Sequence, residues 1–159
     1  MYSLSPLVVG AAGSPSFTTN SLGANDPQVG DTRVYGNENY VFCYNNGNSQ
    51  ILPGDGVILS AVSGYSVTLS STTSVDLLVG VVKHATIATG YYGYVCTRGF
   101  VNVNMGTNLS AAAGSLLILA ADGKFTSKTI ATGFVGDGTV KLMSAAASGA
   151  SATAYVSVY

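Results

Sequence analysis

The sequence predicts an all-β domain: a compact β-sandwich or β-barrel of short antiparallel strands, preceded by an extended N-terminal arm. Three observations carry that expectation. Twenty glycines, ten tyrosines and long Ser/Thr/Asn stretches without a tryptophan favour strands and turns over helices. YSVTLS (65–70) alternates with period two, as a half-buried strand does. No segment offers a full amphipathic helical face, so the core must be sheet against sheet. A chain of 159 residues is one domain's worth, and such a chain buries roughly 68–70% of its unfolded surface.

Residues 1–30 read as the arm. Pro6, Pro15 and Pro27 fall there beside Gly10, Gly13, Gly23 and Gly30, with no sustained alternation, so alone it cannot offset its ordering entropy. Yet Leu4, Leu7, Val8, Val9 and Phe17 prefer a partner's surface to water. The β-domain spans 31–159. DTRVYG opens it, and ENYVFCYN (38–45) follows, with the turn NNGN before QIL. PGDG (53–56) is a Pro-Gly turn between QIL and VILS. DLLVGVVKH (76–84) is a near-continuous apolar run for a central strand, and AYVSVY reads as the last strand. NLSAAAG (108–114) could form one helical turn, whereas Gly149 and the serines make 144–154 a turn or loop.

The chain also echoes itself. LPGDGVILS (52–60) is similar to AAGSLLILA (112–120), and TIATG occurs at 86–90 and again at 129–133. Two copies are too few for a solenoid. They fit two structurally similar halves of a sandwich or barrel.

Charge narrows the function classes. Only 8% of residues are charged, against roughly 25% in an ordinary domain, and the net charge is −1. Such a surface repels its own copies little and tolerates close packing against other subunits. Arg33, Lys83, Arg98, Lys124, Lys128 and Lys141 are scattered, which leaves no electrostatic footprint for nucleic acid. No stretch reaches the roughly 20 apolar residues of a membrane span. The start lacks a basic n-region and its apolar run is broken by Gly10, so no signal peptide is expected. The expected site of synthesis is a cytosol, with Cys43 and Cys96 as reduced, buried small hydrophobes.

Enzyme chemistry is not expected. His84 is the only histidine, and no CxxC or HxxxH spacing supports a metal. Asp55, Asp122 and Asp137 stand beside glycines, where aspartate accepts local backbone hydrogen bonds. GFVGDG (133–138) lacks the phosphate-loop spacing. No catalytic, cofactor or metal residue is assigned.

GYYGYVCTRGFVNVNM (90–105) is the most informative stretch. On a regular strand Tyr92, Tyr94, Cys96, Arg98, Phe100, Asn102 and Asn104 share one face, and the small and β-branched residues share the other. The first face suits another polar surface or subunit, or sugar stacking on Tyr91, Tyr92 and Tyr94. Gly99 is a candidate bulge that swaps the faces partway.

Leu77 to Met105 resembles the central part of tailed-phage capsid decoration proteins, also called cement or head-stabilising proteins. Gly80, Val81, Gly90, Tyr92, Gly93, Tyr94, Val95 and Gly99 carry the likeness, with AAGSLL (112–117) similar to the family's second Gly turn. The likeness extends more weakly over 31–125 and departs in the arm and at the C-terminal end. It implies a structural virion protein, often a homotrimer, on the outer capsid surface, made in the host cytoplasm and partnered by the major capsid protein. The candidate capsid or subunit contacts, read from the apolar residues of the arm and the aromatic-polar face of 90–105, are Leu4, Leu7, Val8, Val9, Phe17, Tyr92, Tyr94, Arg98 and Phe100. A glycan-binding or adhesion module, lectin-like or a minor tail component, is the competing expectation.

Overall fold

The computed structural model describes residues 14–60, 64–71, 78–107, 109–127 and 139–158. The chain is all-β. Its strands in order are β1 (Thr18–Thr19), β2 (Thr32–Tyr35), β3 (Glu38–Asn45), β4 (Gly56–Leu59), β5 (Ser66–Leu69), β6 (Leu78–Val82), β7 (Tyr92–Asn104), β8 (Leu116–Leu119), β9 (Phe125–Ser127), β10 (Thr139–Leu142) and β11 (Ser151–Ser157). Among the described residues the only helical piece is a single 3-10 turn, Ala121–Gly123. The helical turn expected at 108–114 does not form in its described residues, and the last strand begins at Ser151, earlier than AYVSVY. Alanine there does not bring helix because Ala152 and Ala154 are needed as small inward residues of a strand.

The pairings close on themselves. β3 pairs β5, β5 pairs β4, β4 pairs β6, β6 pairs β7, and β7 returns to β3, giving a closed five-stranded barrel without free edges. β7 then runs on into a second ring. It pairs β11, which pairs β10, then β8 and β9. A parallel bridge between Met105 and Phe125 leads β9 back to the end of β7.

The second ring repeats the first. Strand order β3, β5, β4, β6, β7 becomes β7, β9, β8, β10, β11, and the joint between first and second member is parallel in both. Gly54 N–H to Val82 O (2.8 Å) recurs as Gly114 N–H to Leu142 O (2.8 Å), and Val82 N–H to Asp55 O as Leu142 N–H to Ser115 O. The bridge Ile51–Ile87 recurs as Ala111–Ala146. The echo between 52–60 and 112–120 is therefore structural. The second TIATG lies outside the described residues, and the counterpart of the first is AAASG (145–149), with Gly90 (φ 76°) matched by Gly149 (φ 66°).

Two cores follow from this plan. Val41, Cys43, Ile51, Val57, Val67, Val82, Ile87 and Val95 fill the first barrel. The larger cluster joins Tyr40, Phe42, Tyr94 and Cys96 to Val101, Val103, Met105, Leu117, Leu119, Phe125, Val140 and Leu142. The first half of β7 is thus buried on both faces and its second half on one. A bulge makes the change: Asn39 pairs Arg98 while Tyr40 pairs Cys96, so Thr97 is the extra residue. Gly99 follows at φ 139°, where a side chain would be strained and a Cβ would come within 2.8 Å of Glu38 Cγ. The single aromatic-polar face expected for β7 is corrected accordingly. Even-numbered Tyr94 and Cys96 enter the larger core before the bulge, and odd-numbered Val101 and Val103 enter it afterwards.

Residues 14–30 lie against the first barrel. The Phe17 ring stacks on Phe42 with centroids 6.2 Å apart, Thr18 and Thr19 pair Gly93 and Tyr92, and Gly30 N–H donates to Phe42 O (2.8 Å). Leu4, Leu7, Val8 and Val9 lie outside the described residues.

Phe125 is fully buried at the closing bridge of the second ring. Phe125→Ala should lower the unfolding free energy by about 3–5 kcal/mol, as buried phenylalanines do, measured by denaturant titration. A loss below about 0.5 kcal/mol, the scale of an ordinary surface change, would show that this ring closure does not stabilise the fold.

Candidate interaction face

Beyond the bulge, β7 and β11 present an open outer face in strict register. Arg98 lies opposite Ser157, Phe100 opposite Tyr155, Asn102 opposite Thr153 and Asn104 opposite Ser151. Cross-strand neighbours of this kind interact directly. Phe100 and Tyr155 meet edge to face at 5.2 Å, Arg98 Nε donates to the Tyr155 hydroxyl (3.3 Å), and the Thr153 and Ser151 hydroxyls donate to the Asn102 and Asn104 amides at 3.3 and 2.7 Å.

The β2–β3 hairpin stands beside this ladder. Its turn, Gly36 and Asn37, places Gly36 at φ 61°, the left-handed geometry that two-residue hairpin loops favour. All four residues of β2 are exposed, and among the described residues β2 is the end of the sheet order, paired only to β3. Val34 is 71% exposed, Tyr35 58% and Phe100 54%. Together with Glu38, Asn39, Arg98 and Tyr155 they line a groove of about 690 Å³. A second groove, about 470 Å³, shares Phe100 and runs along Asn102, Asn104, Ser151 and Thr153 to Lys83 and His84. The strip leaves large apolar side chains exposed around an open strand edge, an arrangement that soluble proteins otherwise avoid.

Of the residues singled out from the sequence, Arg98 and Phe100 lie on this face. Tyr94 does not: it is 3% exposed and packs on Phe42 at 4.9 Å and Tyr40 at 6.5 Å, so within this chain it packs the sheet. Tyr92 is half-buried against Phe42 and Tyr44, and Phe17 is half-buried on Phe42. Tyr91, Tyr92 and Tyr94 therefore form no continuous exposed stacking platform. Val34, Tyr35 and Tyr155 were missed. The alternating DTRVYG only shows a strand, and which strand is left at an edge depends on pairings made far along the chain.

Charged groups near the face are tied down. The Glu38 carboxylate accepts from both Lys83 and the Tyr40 hydroxyl, and His84 Nε2 lies 2.8 Å from that hydroxyl. Burial alone would raise the Glu38 pKa, but hydrogen bonds from Lys83 and Tyr40 outweigh it and hold the carboxyl below its ordinary value. Burial and the neighbouring Lys83 lower the His84 pKa, with Glu38 opposing. Burial pushes the Cys43 and Cys96 thiols up to about 12 and about 11, leaving them poor nucleophiles near neutral pH. Among the described residues no three His, Cys, Asp or Glu side chains converge as metal ligands, and no helix is long and apolar enough to cross a membrane.

The fold so defined is a tandem pair of small β-rings sharing one strand, with an aromatic edge at the seam. No family model and no curated protein matches the sequence. Among solved structures the chain is similar to the crystal structure of the head fiber gp8.5 N base of bacteriophage phi29, with a TM-score of 0.53 over 74% of this chain and 94% of that one. The identity is 13%, so the likeness is one of fold.

Because the native Glu38 pKa is lowered, the stability it contributes is complete above the ordinary carboxylate range and is lost as pH falls through the lowered native value. Acid titration of unfolding free energy should show this limb, and Glu38→Gln should flatten it. An unchanged acid limb in the variant would remove Glu38 as its source.

Proposed function

We propose that this chain is a structural protein of a phage head, a decoration or cement protein that sits on the outer surface of the capsid as a homotrimer and grips the major capsid protein. The observation that carries this reading is the fold it shares with the phi29 head fiber base over nearly the whole of that chain. The near-neutral composition, the exposed β2 edge and the Phe100–Tyr155 pair support it, because they suit a broad, uncharged protein contact. Binding of such a protein to the assembled shell stabilises that shell by mass action, since it prefers the assembled over the disassembled state. No reaction is required of it.

Purified protein should add to expanded shells lacking it in a saturable, symmetric pattern and raise their melting temperature. Tyr35→Ser and Phe100→Ser remove exposed rings and should leave the fold intact, yet weaken shell binding by about tenfold or more, the scale of an aromatic hot spot. Shells that take up none of the wild-type protein across a broad concentration range sink the reading. If the same protein is instead retained on a glycan array through Phe100 and Tyr155, the adhesion module replaces it.

A further inference from the structure

At the Asn104–Ser151 end of the interaction face, two side chains from distant parts of the chain converge on one carboxylate. Asp55, whose side chain is 2% exposed, accepts at Oδ1 from Lys124 Nζ at 2.5 Å. The same oxygen accepts from Asn104 Nδ2 at 2.9 Å. The Asn104 amide is fixed in the orientation that matters. Its Nδ2 also donates to Pro53 O (2.9 Å), and its Oδ1 accepts from the Ser151 hydroxyl (2.7 Å). An amine, a carboxamide, a carboxylate between them and a hydroxyl on the carbonyl oxygen are the parts of an amide-exchange centre.

The backbone around them is rigid. Leu52 N–H holds the other Asp55 oxygen at 3.1 Å, and Asn104 N–H donates to Gly54 O (2.9 Å). Gly54 is at φ 93°, and a Cβ there would come within 2.7 Å of the Asn104 amide atoms, so only glycine lets the amide lie on the turn. Asp122 and Gly123, both at positive φ, turn the chain into Lys124, with Gly123 packed so closely that a Cβ would reach Asp55 Cβ at 3.2 Å.

We propose that Lys124 and Asn104 form a spontaneous intramolecular isopeptide bond. Asp55 first takes one proton from the Lys124 ammonium, which frees the Nζ lone pair. Nζ adds to Asn104 Cγ, and the charge that develops on Oδ1 is met by the Ser151 hydroxyl. The Cγ–Nδ2 bond then breaks as Asp55 returns its proton to Nδ2. The second Nζ proton follows through the same carboxylate, so the nitrogen leaves as ammonium and Asp55 ends ionised as it began. One C–N bond forms and one breaks, with no oxidant, reductant or co-reactant. The bond joins the end of β7 to the residue before β9, beside the Met105–Phe125 bridge that closes the second ring. The inference rests on this geometry alone and stands apart from the capsid reading.

Intact-mass measurement of the full chain after prolonged incubation tests it. The wild-type protein should be lighter than its sequence mass by one ammonia, and peptide mapping should yield one branched peptide containing Asn104 and Lys124. Lys124→Arg keeps a cation against Asp55 but supplies no amine nucleophile, and it should restore the sequence mass and two separate peptides; Asp55→Ala should do the same. A wild-type protein at its sequence mass with separate peptides overturns the proposal. So does an ammonia loss that persists in Lys124→Arg and is cleaved by hydroxylamine, which would assign it to a succinimide at Asn46–Gly47.

Discussion

The whole arrangement depends on β7 belonging to two rings at once. A strand shared in this way must satisfy β3, β6 and the short β1 along its first half and β11 along its second. Its side chains must serve two cores before Thr97 and one core after it. Alternation alone cannot do this, because the period of a strand keeps each face to itself. One extra residue resolves the conflict, and Gly99 supplies the positive φ beside it. The burial of Tyr94, the exposure of Phe100 and the aromatic patch beside the hairpin all follow from that single slip in register.

Much of the architecture could be read in the chain beforehand. The strands at 38–45, 65–70 and 76–84 announce themselves by alternation or by a continuous apolar run, and each is found. The likeness between the PGDG and AAGS turns marks a true duplication, because each must make the same pair of backbone bonds to its β6-type strand. The second TIATG lies outside the described residues, and the turn matching the first is AAASG, which provides the same glycine with positive φ at its end. The duplicated rings also differ in how they are filled: Ile51 and Ile87 become Ala111 and Ala146, and Phe125 and Met105 take up volume in the second core.

The candidate sites were harder to read for a physical reason. Exposure of Val34 and Tyr35 is decided by which strands find partners, and the bulge that turns Phe100 outward has no local signature beyond one glycine. The Asp55 cluster is a clearer case. PGDG identifies a turn aspartate correctly, since its Oδ2 does hold the turn, but the residues that meet its other oxygen lie far along the chain. Nothing in the spacing of Asp55, Asn104 and Lys124 hints that three strands' ends will bring them together. The few charges this chain carries are, in both described ion pairs, turned toward half-buried or buried carboxylates.

A shared strand also determines how the molecule bears load. Two domains joined by a linker can swing, and a pull on one loosens the other only through that tether. Here a displacement of the second ring relative to the first has no joint to absorb it. It must travel lengthwise along β7, across ladders of hydrogen bonds strained together rather than opened one after another. The seam between the rings therefore carries load lengthwise through a shared strand rather than through a linker.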